Sequence, residues 1–132
     1  MNEESLTIFE CTIPGRVPVK KNTQKVVLLQ TGRRAAIYSA KFRSWEEGAI
    51  LECIQANKSR RCYAGPMIAF FSFYFQDHMH EPDVSNLVEG PQDVLKKAGV
   101  IEDDRLIHEL HARKIFDSNE EPRVEIVLRR FR

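Results

Sequence analysis

The sequence has no apolar run long enough to cross a bilayer, no polar low-complexity tract and no internal repeat. These absences exclude a membrane-spanning helix, a disordered chain and a solenoid. No glycine-rich loop of the phosphate-cradling kind is present, which argues against a P-loop nucleotide enzyme. Cysteine is scarce: Cys11, Cys53 and Cys62 are odd in number and lack the close spacing of metal ligands. They lie in or beside apolar segments and are expected to be buried free thiols. The stretch Met1 to Glu10 has two early acids and none of the basic-then-apolar layout of a secretory signal, so a cytoplasmic protein is expected.

What is present fits one domain. A chain of 132 residues can bury one core and is short of the length at which chains usually split, so residues 1–132 are expected to form a single unit. The net charge of +1 conceals an uneven layout. Basic pairs stand at Lys20-Lys21, Arg33-Arg34, Arg60-Arg61, Lys96-Lys97 and Arg129-Arg130, while acids crowd between Asp77 and Asp104. A near-neutral total of this kind does not exclude a nucleic-acid partner.

Periodicity gives the order β, hairpin, α, β, α, β, β. Leu6 to Ile13 alternates and ends at the turn signal Pro14-Gly15, a first strand. Lys25 to Gln30 and Ala35 to Tyr38 flank the turn Thr31 to Arg34, a hairpin with a basic tip. Ser39 is placed to cap a helix over Ala40 to Ala56, whose apolar residues Phe42, Trp45, Ala49, Ile50 and Cys53 recur at three and four. Met67 to Phe75 is apolar apart from Ser72, which predicts a central strand covered on both faces. A second helix is expected between Asn86 and Ala98, with Gly99 as its cap and Gly90-Pro91 either breaking it or opening a shorter one. Arg105 to Phe116 and Arg123 to Phe131 read as two strands around a turn at Asn119 to Pro122. The fold expected is a compact α/β domain with a mixed sheet and flanking helices.

Acids gather on both sides of the second helix: Asp83, Glu89, Asp93, then Glu102, Asp103 and Asp104. If Asp83 ends the central strand and Asp103-Asp104 begin the next, their carboxylates can converge at one end of the sheet as hard oxygen ligands for Mg²⁺. An ion there would activate water for attack on phosphorus, with Glu89 as an additional ligand. The plainer alternatives stand beside this: Asp83 or Ser85 as helix caps, Glu89 and Asp93 as a solvated face, Asp103-Asp104 as a turn. His78, His80, His108 and His111 read as isolated histidines in preference to a cluster.

Taken in order, Asp83, Asn86-Leu87, Asp93, Ala98-Gly99 and Asp103-Asp104 resemble the signature of the RusA-like Holliday junction resolvases. Ile13-Pro14-Gly15, the basic loop Lys20-Lys21-Asn22 and Tyr38 to Trp45 resemble that family's opening strand, basic loop and first helix, so the resemblance covers nearly the whole chain. It implies a mixed sheet with flanking helices and a homodimeric, Mg²⁺-dependent endonuclease that cuts four-way and other branched DNA in recombination, repair or phage DNA processing. It assigns Asp83 and Asp104 as metal-binding catalytic aspartates, Asp103 as the adjacent acid and Asp93 as a supporting residue.

Two positions depart from the family pattern. Ser85 stands where a second aspartate is usual, and Glu89 where a lysine is usual. Glu89 is therefore expected to supply the missing carboxylate, giving Asp83, Asp104 and Glu89 as the metal ligands. The alternative is an impaired module that holds branched DNA without cutting it. Lys20, Lys21, Asn22, Arg33 and Arg34 are the candidate DNA contacts, on loops where long cations reach phosphates without reading bases.

Overall fold

The apolar run in the middle of the sequence becomes the middle of a sheet. The computed structural model describes residues 6–19, 24–28, 30, 32, 34–38 and 40–132, with 24–27 and 34–38 described by backbone alone. In chain order the elements are β1 (Thr7–Pro14), β2 (Gln24–Leu28), β3 (Arg34–Tyr38), α1 (Ala40–Ala56), β4 (Met67–Phe75), α2 (Val84–Leu87), α3 (Glu89–Lys97), a 3₁₀ turn (Asp104–Leu106), β5 (Ile107–Phe116) and β6 (Arg123–Arg130). Four strands form one sheet in the order β1-β6-β4-β5, and β2 pairs with β3 in a separate hairpin. β4 runs parallel to β5 and antiparallel to β6, so the sheet is mixed, as expected.

Alternation decides which face the core occupies. Met67, Ala69, Phe71, Phe73 and Phe75 of β4, Val124, Ile126 and Leu128 of β6, and Phe9, Cys11 and Ile13 of β1 are all buried. Their cluster is completed by Ala49 and Cys53 of α1 and Val94 and Leu95 of α3, so both helices pack on this one face. The opposite face corrects the expectation that β4 is covered on both sides by other elements. Phe70 and Tyr74 are half-buried there, and arginines of β6 lie over them. Arg123 sits 3.7 Å from the Tyr74 ring and Arg129 4.8 Å from Phe70, with His111 stacked on Phe70 at 4.9 Å. Guanidinium planes shield an aromatic face well because they are weakly hydrated and attracted to the ring.

The Gly90-Pro91 question resolves as two helices. Val88 separates α2 from α3, and Pro91 falls in the first turn of α3, where its missing N–H costs nothing. Close packing suits Gly90, since a Cβ there would meet the Trp45 ring at 3.3 Å. α3 ends as predicted. Gly99 takes φ 73°, its N–H bonds to the Lys96 carbonyl at 3.1 Å and the Val100 N–H to that of Leu95 at 3.0 Å, the two bonds of a Schellman cap. The Ser39 cap of α1 lies outside the described residues.

Cys11 and Cys53 are buried free thiols as expected, with Sγ atoms 4.0 Å apart. Cys62 corrects the reading, for it is exposed on the polar loop before β4. A thiol reagent added to the native protein is therefore expected to modify one cysteine rapidly and the other two only on unfolding. Mass spectrometry locating the fast label anywhere but Cys62 would contradict this packing.

Candidate functional site

The segment joining β4 to α2 carries the first of the sequence-predicted acids, and the fold pins it at several points. The Asp77 carboxylate accepts from the Met79 N–H at 2.9 Å, and His80 turns the chain back at φ 54°. Lys114 of β5 donates to Glu81 Oε1 at 2.6 Å and to the Pro82 carbonyl at 3.0 Å. Arg16 reaches in from beyond β1 to the carbonyls of Met79 at 2.6 Å and His80 at 3.2 Å. The His78 ring stacks on Phe116 with centroids 3.8 Å apart, and its Nδ1 lies 3.0 Å from Glu81. Two cations thus fix the backbone immediately before Asp83.

Asp83 occupies the N-cap position of α2, yet its carboxylate makes no capping bond. Its carbonyl instead accepts from the Asn86 and Leu87 amides, and its exposed side chain is left for another role. Ser85 is exposed on α2, and Glu89 is exposed at the first position of α3, one turn on. Asp93 is half-buried farther along α3.

Asp103 caps the 3₁₀ turn that opens β5, accepting from the Arg105 N–H at 3.1 Å. Lys96 and Arg105 stand 3.9 and 3.8 Å from its other oxygen. The Arg105 N–H, followed by a hydrogen bond with Asp104, holds the Asp103 carboxyl below its ordinary value. Asp104 is exposed beside it.

The structure overturns the expected convergence of Asp83 with this pair in one chain. Because β5 is parallel to β4, with Met67 beside Ile107 and Phe75 beside Phe116, the end of β4 and the start of β5 lie at opposite ends of the sheet. Asp83 belongs to the level of Lys114, and Asp104 to that of Ile107. A strand advances about 23 Å over that interval. Among the described residues no three histidine, cysteine, aspartate or glutamate side chains come together as a metal site.

Lys20, Lys21, Asn22 and Arg33 lie outside the described residues; Arg34 begins β3. The histidines are dispersed, as expected. His108 meets Phe131 edge-on, and His111 pairs with Glu109 at 2.9 Å as well as stacking on Phe70. The anchors Arg16, Glu81 and Lys114 carried no local signal, because the bonds that define them span tens of residues.

The Lys114 ammonium, with His78 beside it, holds the Glu81 carboxyl below its ordinary value. A depressed folded pKa means that this contact contributes stability above the unfolded pKa of Glu81 and loses it as pH falls through the folded one. The melting-temperature advantage of wild type over Glu81→Gln is therefore expected to be present at neutral pH and to shrink below the usual carboxylate range. Lys114→Met should return the Glu81 titration, followed by carboxyl carbon NMR, toward its ordinary position. An unmoved titration would remove Lys114 as the anchor.

The family model for endodeoxyribonuclease RusA matches residues 14–129, nearly the whole chain. No curated protein matches it.

Proposed function

This chain belongs to the RusA endodeoxyribonuclease family, and on that premise we propose that it is a Mg²⁺-dependent, structure-selective endonuclease. Its substrates in this reading are Holliday junctions and other branched DNA in recombination, repair or phage DNA processing, and it acts as a cytoplasmic homodimer. The observation that supports this best is Asp83: an exposed carboxylate, unused as a cap, at the motif position, on backbone fixed by Arg16 and Lys114.

In this reading Asp83, Glu89 and Asp104 supply the oxygen donors that Mg²⁺ takes, with Asp103 beside the last. One chain holds Asp83 and Asp104 at opposite ends of its sheet, so its own donors do not fit a single ion. What the chain itself supplies is positioning. Lys114 and Arg16 hold the backbone entering α2, while Arg105 and Lys96 hold Asp103. Lys20, Lys21, Asn22, Arg33 and Arg34 are assigned to phosphates, which gives affinity for junction shape without reading bases.

The test is to incubate the protein with a labelled synthetic four-way junction and a matched linear duplex, with Mg²⁺ or EDTA. Paired, symmetric, Mg²⁺-dependent cuts in the junction alone are expected. Selective junction binding without cleavage would instead favour the impaired module, a reading motivated by Ser85 and Glu89. Neither binding nor cleavage would sink both.

A further inference from the structure

No acid occurs between Glu52 and Asp77, and that stretch carries Lys58, Arg60 and Arg61 on the turn joining α1 to β4. All three are exposed. So is Arg130, which β6 places opposite Met67, where the turn feeds into β4. Lys97, Arg105, Lys114 and Arg123 are each paired with an acid, whereas Lys58, Arg60, Arg61 and Arg130 form no ion pair among the described residues. Arg61 and Arg130 line one cleft of about 410 Å³ together with Asn57 and Ser59, and no acid lines it.

The turn is fixed by its own polar groups. The Asn57 side-chain amide donates to the Arg61 carbonyl at 3.1 Å, the Ser59 hydroxyl to Asn57 Oδ1 at 3.0 Å, and the Arg61 N–H to the Ser59 hydroxyl at 3.2 Å. The Arg60 N–H donates to the Asn57 carbonyl at 3.0 Å, with Arg60 itself at φ 56°. That backbone region suits glycine better than arginine, and a residue held there by its surroundings points to a use for its side chain. Just beyond, the Tyr63 N–H donates to the Val100 carbonyl at 2.9 Å and the Glu102 N–H to the Tyr63 carbonyl at 3.0 Å. The cations are thereby tied by backbone to the segment that ends in Asp103 and Asp104.

We propose that Lys58, Arg60, Arg61 and Arg130 form a second phosphate-binding surface, which seats a duplex arm of DNA at the Asp104 end of the sheet. The chemistry fits a sugar-phosphate backbone: cations left unneutralised by the chain, beside the hydroxyl of Ser59 and the amide of Asn57. Contacts of this kind give affinity and fix register without reading bases. A turn already set by internal bonds also loses little freedom on binding. The choice of DNA as the polyanion rests on the nuclease reading above, and an acidic polypeptide is the rival occupant.

Cys62 follows the turn directly, lines the same cleft and is exposed, so it reports occupancy without any activity. A linear duplex and a four-way junction, each in EDTA at low salt, are expected to slow modification of Cys62 by a thiol reagent about tenfold, and added salt should abolish the shielding. Arg60→Gln/Arg61→Gln removes two phosphate contacts. The slope of log affinity against log salt should then fall by about two, and binding should weaken about tenfold. Lys58→Gln/Arg130→Gln should do the same. Arg43→Glu, at an exposed position of α1, changes the net charge by the same amount and should leave slope and shielding in place. Circular dichroism confirms that each variant is folded.

Cys62 modified equally fast with and without DNA overturns the surface. Shielding by polyglutamate but not by duplex also overturns it and gives the turn to an acidic polypeptide. An equal loss in Arg43→Glu does so as well, since net charge alone would then explain the binding. Cleavage is a separate readout. A junction that shields Cys62 but is never cut with Mg²⁺ sinks the nuclease reading and keeps the phosphate surface, while cutting without shielding keeps the nuclease and overturns the surface.

Discussion

Replacing Asp83 with Asn is expected to lower the rate of junction cleavage about 10³-fold, a loss of about 4 kcal/mol of transition-state stabilisation. The amide keeps the shape of the carboxylate and removes the charge that would hold a cation. The fold should not notice. The Asp83 carboxylate is exposed and makes no bond to the α2 backbone, and exposed substitutions away from special contacts stay within about 0.5 kcal/mol. The measurement is single-turnover cleavage of a labelled four-way junction, beside a thermal melt and junction binding in EDTA. Cleavage should collapse while the melt and the binding stay put. A companion variant, Glu89→Gln, asks whether Glu89 stands in for the acid missing at Ser85. A loss comparable to that of Asp83→Asn makes it a ligand, and an unchanged rate makes it a solvated first-turn acid of α3, where the helix dipole favours it.

The order of these residues was legible in the sequence because the signature is local: a helix capped by Gly99 between two acidic boundaries. Their separation was not, because it depends on the direction in which β5 lies against β4. An antiparallel return would have brought Asp103-Asp104 beside the end of β4, whereas a parallel one carries them to its start. Nothing in either strand's own pattern distinguishes the two, since the choice is made by α2 and α3 running back along the sheet. The anchors of Asp83 were hidden for a related reason. Lys114 is one more cation in a strand until the pairing with Phe73 places it under Pro82.

The fold was read more completely, and its one-sided core is the instructive exception. A continuous apolar run such as Met67 to Phe75 suits burial on both faces, but the two faces of β4 are closed by different means. On β6, Val124, Ile126 and Leu128 alternate with Glu125 and Arg129 in the sequence. This alternation becomes explanatory only once β6 is known to lie beside β4, so that its arginines can cover Phe70 and Tyr74.

That asymmetry fixes the largest stability difference expected in the molecule. Phe73 is 0% exposed, tilted against Phe71 at 6.2 Å and part of the cluster shared by the sheet and both helices. Phe73→Ala removes a fully packed ring and leaves a cavity between layers that cannot collapse freely, at a cost of about 3–5 kcal/mol. That is a third or more of the stability of many single domains, which lies at about 5–15 kcal/mol. Phe70→Ala, one strand position from Ala69 and Phe71 but on the open face, removes a half-buried ring whose partners are Arg129 and His111. Those side chains can relax into solvent, so the cost should be about 1–2 kcal/mol. Urea unfolding of both variants beside wild type distinguishes the two faces, with the midpoint falling and the slope unchanged. Equal losses at Phe70 and Phe73 would mean that a further layer covers the open face in solution. A small loss at Phe73 would mean that α1 and α3 do not close the core as tightly as the burial of Phe42, Val94 and Leu95 implies.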